Sequence, residues 1–146
     1  MSVKTILVSQ PKPETEKSPY FDLADKYKLK IDFRPFINVE GVTTREFREQ
    51  KVELSKVTAV ILTSKTAVDH FFRIAEETRF KVPDAMKYFC MSEAVAYYLQ
   101  KYVVYRKRKI FYGRTNINDL MEVLKKHKNE KYLLPCSDIL RATIPN

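Results

Sequence analysis

Five short apolar runs in this chain each end in a small polar residue suited to opening a helix. They are Ile6-Leu7-Val8-Ser9, Val60-Ile61-Leu62-Thr63-Ser64, Phe89-Cys90-Met91-Ser92, Ile110-Phe111-Tyr112-Gly113-Arg114-Thr115 and Leu133-Leu134-Pro135-Cys136-Ser137. A continuous apolar run of that length is the mark of a strand buried on both faces. A hydroxyl directly after it accepts a hydrogen bond from an early helix N–H. Strand, cap and helix in repetition make βα units, and βα units make a parallel sheet. Parallel strands bring every such junction to one sheet edge, where open α/β sheets bind their ligands. Uncapped N–H groups and the positive ends of the helix dipoles make that edge favourable to anions.

The remaining pattern fills in the elements. Residues 3–9 read as a first strand. Ser18-Pro19 supplies an N-cap and a proline at the first helical position, with Tyr20, Leu23, Ala24 and Tyr27 on one face of a helix over 19–27. Residues 30–37 alternate as a second strand whose Pro35 suggests an edge or an end. Residues 38–44, with Gly41, form a linker. An amphipathic helix over 44–54, a strand over 57–62 and a helix over 65–77 follow, the last with Val68, Phe71, Phe72 and Ala75 inward. Further strands are expected at 87–91, 109–112 and 132–136, helices at 93–101 and 117–127, and a short extended segment at 103–105. Leu120, Met121 and Leu124 mark the inner face of the last helix. After Ser137-Asp138 fewer than two turns of helix follow, poor cover for a parallel strand, so the chain is expected to stop inside a unit.

The chain has 146 residues, which gives room for a real core. No apolar run approaches the roughly 20 residues of a membrane span. The first residues lack the apolar stretch and cleavage site of a signal peptide. A cytoplasmic protein is the simplest expectation. Cys90 and Cys136 are read as two partly buried thiols, without metal-ligand spacing. The two glycines, Gly41 and Gly113, are too few for a Walker loop or a dinucleotide fingerprint. Lys and Arg number 27 against 18 Asp and Glu, a balance suited to an acidic small molecule, nucleic acid or an acidic surface.

The candidate site residues sit at the junctions. Thr63, Ser64 and Lys65 offer two hydroxyls, first-turn amides and an ammonium group to a carboxylate, and Thr66 with Asp69 fits a capping box. Ser92, followed by Glu93, repeats the geometry. Arg114 and Thr115 lie on a longer loop where an arginine fork can hold a carboxylate. Ser137 opens the fourth junction, with Arg141 one turn on. His70 and His127 read as helix-surface residues. The stretch Tyr102 to Tyr112 interleaves Arg106-Lys107-Arg108-Lys109 with aromatics. It reads as a solvated basic connector, and its second reading is a non-catalytic basic α/β module that binds nucleic acid or a protein partner. No nucleophile, acid–base pair or metal set stands out.

In order and spacing these residues resemble the uroporphyrinogen-III synthase family. The likeness is carried by Ile6-Leu7-Val8-Ser9, Ser18-Pro19-Tyr20, Pro35-Phe36, the turn Leu62-Thr63-Ser64-Lys65-Thr66-Ala67-Val68, and Pro135-Cys136-Ser137-Asp138-Ile139-Leu140-Arg141. The resemblance implies two flavodoxin-like α/β domains joined by a two-stranded connector. Residues 1–37 would open domain 1 as strand–helix–strand, and 38–146 would form the connector and most of domain 2. It implies a lyase that cyclises hydroxymethylbilane, an anionic linear tetrapyrrole, with loss of water and inversion of its last ring, in haem biosynthesis. No metal or organic cofactor is implied. Thr63, Ser64 and Lys65 match the family's hydroxyl-rich turn, Lys65 standing where arginine is frequent, and Arg141 matches a family arginine. Near Ser92 the family usually shows a glycine and a threonine; here Met91 and Ala94 stand in those places. Ser137 stands where glycine is common. The tyrosine proposed as acid in the family would fall after residue 146, so no catalytic residue is carried over.

Overall fold

The computed structural model describes residues 2–114 and 116–138. The chain divides into two compact units, Met1–Gly41 and Val42–Asn146.

In the first unit β1 (Thr5–Val8) pairs in parallel with β2 (Lys30–Phe33), Thr5 opposite Lys30 and Val8 opposite Phe33. The crossover is α1 (Pro19–Tyr27). Its start follows from local chemistry: Ser18 Oγ accepts from the Tyr20 N–H at 3.4 Å, and Pro19 presets the first helical φ. Lys28 ends the helix in the left-handed region at φ 54, a position that more often takes glycine. The expected apolar stripe on α1 exists but stays largely open. Leu23 and Tyr27 are exposed, and Ser18 is the one fully buried residue among those described in this unit. Tyr20 and Phe21 pack edge-on against Phe33.

The second unit is built on four parallel strands, β3 (Ala59–Leu62), β4 (Lys87–Cys90), β5 (Ile110–Tyr112) and β6 (Tyr132–Leu133), in the order β5-β4-β3-β6. This is the α/β fold with parallel sheets expected from the sequence. Strand alternation divides the core between two faces. Val60, Leu62, Tyr88, Cys90 and Ile110 face α3 (Lys65–Glu77), α4 (Glu93–Tyr98) and Leu54. Ala59 and Phe89 face α5 (Ile117–Lys125) through Leu120, with Phe111 and Tyr132 beside them. Phe89 is the hub of that second face, stacked on Phe111 at 4.9 Å and met edge-on by Tyr132 at 5.3 Å.

Several expectations shift at the ends. The helix over 44–54 stops early: α2 spans Thr44–Glu49, and Leu54–Lys56 form a separate 3-10 turn. The break falls at Lys51, whose positive φ of 53 cannot continue a helix. The helix over 93–101 likewise ends at Tyr98 and tightens into a 3-10 turn, Leu99–Lys101. Residues 103–105 join no strand. His127 is packed instead of lying on a helix surface: its ring meets Phe89 at 5.4 Å and Phe111 at 4.7 Å. Cys136 is exposed, whereas Cys90 is fully buried.

Candidate functional site: the carboxyl edge of the second sheet

Because the four strands are parallel, their carboxyl ends share one edge. Across it, in strand order, come Gly113-Arg114 after β5, Met91-Ser92 after β4, Thr63-Ser64-Lys65 after β3, and Leu134 to Ser137 after β6. The chain leaves β3 toward β4 and returns on the other side as β6. The switch point, where an open sheet leaves a crevice, therefore lies between β3 and β6. The turns of Thr63-Ser64-Lys65 and Ser137 flank it.

Three of these turns are held by caps. Ser64 Oγ accepts from the Ala67 N–H at 3.1 Å, and its backbone carbonyl accepts from Val68 N–H at 3.2 Å. The Lys65 and Thr66 amides, the first two of α3, are left for water or a ligand. Ser92 Oγ accepts from the Val95 N–H at 3.4 Å. At α5 the cap is Asn116, whose Oδ1 accepts from Asp119 N–H at 3.0 Å. A hydroxyl that accepts at a cap still carries a proton, so Ser64 and Ser92 each keep one donor beyond the helix. Neighbouring turns are knitted by the Met91 N–H on the Leu62 carbonyl and the Gly113 N–H on the Cys90 carbonyl, at 2.9 and 3.1 Å. Gly113 is buried, and a Cβ there would stand 3.3 Å from Asp119 Cβ, Leu120 N and the Met91 carbonyl. Its smallness lets the Arg114 turn sit directly against the Ser92 turn.

The electrostatics favour an anion unevenly. Lys65 and Arg114 are exposed, and neither has a carboxylate partner among the described residues. Ser137, by contrast, donates to Asp138 Oδ1 at 3.2 Å, which places an acidic group beside that turn. Thr115 and Arg141 lie outside the described residues.

The capping box expected between Thr66 and Asp69 does not form. The cap lies two residues earlier, at Ser64, so Asp69 sits in the second turn beyond reach of free amides. Its carboxylate instead accepts from the Tyr98 hydroxyl at 2.9 Å and the Tyr102 hydroxyl at 2.6 Å. The Asp69 hydrogen bond, more than burial, pushes the Tyr102 phenol up to about 12, so it stays a donor. Sequence reading missed this cluster because its members lie about thirty residues apart in the chain. A true capping box does exist, at Thr43 and Glu46, where Thr43 N–H donates to Glu46 and Glu46 N–H returns to Thr43. Its Thr-x-x-Glu signature was readable.

Other chemistry is sparse. Cys90 is no nucleophile: burial pushes its thiol up to about 12. Among the described residues no group of three or more His, Cys, Asp or Glu is placed to hold a metal ion. No described helix is long and apolar enough to cross a membrane. A cleft of about 350 Å³ runs along the flank of α3 and on past its C-terminus, lined by Asp69, Phe72, Arg73, Phe80 and Tyr102 among others.

The family model described as uroporphyrinogen-III synthase HemD matches residues 21–146. The chain belongs to the uroporphyrinogen-III synthase family. No curated protein matches it at a significant level. Family membership agrees with the resemblance carried by the Leu62-to-Val68 turn and by the residues around Arg141, and with the parallel α/β sheets. For a uroporphyrinogen-III synthase fold, the carboxyl edge brings together Ser64, Lys65, Ser92 and Arg114 from separate segments, with Thr63 and Ser137 at the switch point.

Proposed function

We propose that this chain serves the cyclisation of hydroxymethylbilane to uroporphyrinogen III, with loss of water and inversion of the last ring, as a cytoplasmic lyase of haem biosynthesis. The observation that supports this most is the alignment of hydroxyl-bearing turns along one sheet edge about the β3–β6 switch point. A flexible tetrapyrrole with many carboxylates needs many weak, fixed donors, and hydroxyls with first-turn amides are such donors. In this reading Lys65, Arg114 and Arg141 pair with carboxylates. Thr63, Ser64, Ser92, Thr115 and Ser137 orient them. The chain's part is to hold the two reacting ends of the substrate near one another, which turns ring closure into a positioned unimolecular step. No residue of 1–146 is assigned as proton donor to the departing hydroxyl. Residues Met1–Gly41 bury no apolar side chain among those described.

The test is a cyclisation assay with freshly generated hydroxymethylbilane. The chain is assayed beside a protein-free control, and the type I and type III isomers are separated. Type III in excess of a protein-free control supports the reading. Type I alone, matching uncatalysed closure, refutes it.

A further inference from the structure

Beside the edge, where α3 meets α4, two lysines share one aromatic ring. The Lys101 ammonium lies 4.4 Å from the Tyr98 ring centroid and the Lys65 ammonium 5.6 Å from it. Both fall within the distance at which a ring's negative face attracts a cation. Lys65 is the first residue of α3 and belongs to the Ser64 turn, while Lys101 comes from the 3-10 turn after α4. Neither lysine has a carboxylate partner among the described residues.

The carboxylate one turn from Lys65 is engaged by other donors. Asp69 follows Lys65 by one helical turn, a spacing at which the two commonly pair. Both of its oxygens instead accept phenolic hydrogens, from Tyr98 at 2.9 Å and from Tyr102 at 2.6 Å. Tyr102 is itself stacked flat on Phe72 at 4.4 Å, which fixes the arrangement from behind. The Asp69 carboxylate thus orients the ring, and neither ammonium group against that ring has a carboxylate at ion-pair distance among the described residues. Like charges held on one platform repel. An anion with two carboxylates relieves that repulsion at little cost in side-chain ordering, because the ring already restrains both lysines.

We propose that Lys65 and Lys101, held about the Tyr98 ring, form a two-ammonium clamp for two carboxylates of a single polycarboxylate ligand, with Asp69 as the positioning residue that orients Tyr98. This rests on the substrate reading above and extends it to Lys101, which lies beyond the strand-end turns.

The experiment titrates the chain with two probes, uroporphyrin III and benzenehexacarboxylate, following intrinsic tyrosine fluorescence and calorimetric heat. Lys101→Met is expected to weaken both probes about five- to tenfold, the loss of one exposed charge-assisted contact. Lys101→Arg should restore most of the affinity. Lys126→Met serves as a charge-matched control and should weaken binding less than twofold. Tyr98→Leu should weaken binding as far as Lys101→Met does while thermal unfolding shows the chain folded. Tyr98→Phe, which keeps the ring and loses the hydroxyl, should fall between. Lys101-dependent binding of benzenehexacarboxylate without uroporphyrin III binding would keep the clamp and defeat the tetrapyrrole reading. Equal binding by Lys101→Met and Lys126→Met would overturn the clamp and leave that reading standing. Absence of binding of either probe to the unaltered chain would overturn the clamp as well.

Discussion

The two units use the same grammar, parallel strands joined by capped helices, and arrive at opposite degrees of burial. In Val42–Asn146 the sheet is covered on both faces, and Val60, Leu62, Val68, Phe89, Leu99 and Leu120 are sealed from solvent. In Met1–Gly41 one helix crosses two strands, and no apolar residue among those described is buried. Leu7, in the middle of β1, is 58% exposed. The difference lies in layer count. A helix and a strand pair cover one another on a single side, whereas a strand with neighbours on both sides and helices above and below is closed in every direction. Capping and periodicity therefore specify elements, while burial depends on how many elements share a sheet.

The largest expected effect breaks or keeps this comparison by mutation. Phe89→Ala should cost about 3–5 kcal/mol in urea unfolding, and Leu7→Ala less than about 0.5 kcal/mol. Similar losses would mean that the first unit is as well packed as the second. Hydrogen exchange gives the same contrast without mutation. Amides of β3 and β4 should exchange on the order of 100-fold more slowly than those of β1; equal protection would contradict the account. Within the second unit, a thiol reagent should label Cys136 at once and Cys90 only in denaturant, so one thiol titrates in the native chain and two after unfolding. Rapid labelling of both would show that the sheet opens.

The smallest effect is a pH dependence within the second unit. Lys87, at the start of β4, reaches across β3 to Glu130, just before β6. The Lys87 hydrogen bond first, and the one from Thr58 next, hold the Glu130 carboxyl below its ordinary value of 4.5. A carboxyl depressed in the folded state adds stability above its unfolded value and loses it as pH falls through the folded one. Lys87→Met should thus cost less than about 1 kcal/mol near pH 7, with the gap from the unaltered chain narrowing below pH 4.5. A gap that ignores pH would remove Glu130 from the account.

Much of this was legible from neighbours in sequence. The bounds of α1 and α3 follow from Ser18-Pro19, from Ser64 and from apolar spacing, all local signals. The parallel sheet followed from recurring strand–cap junctions. What depended on distant residues was not legible. The position of β6 beside β3 is a fact of topology. The preference of Asp69 for Tyr98 and Tyr102 over a helix cap depends on how α4 packs on α3. For the same reason Thr63, Ser64, Lys65, Ser92, Arg114 and Ser137 could be nominated singly, but Tyr98 and Lys101 could not. Arg141 and Thr115 lie outside the described residues.

The most direct measurement maps uroporphyrin III onto the backbone by amide chemical shifts. The account predicts that the perturbed amides are those of Ser64 to Ala67, Met91, Ser92, Gly113 and Arg114, at the carboxyl edge about the β3–β6 switch. Silence there, with shifts at Thr58 and along Arg106 to Lys109 at the amino ends of the strands, would contradict it and move the basic connector to first place as the binding surface.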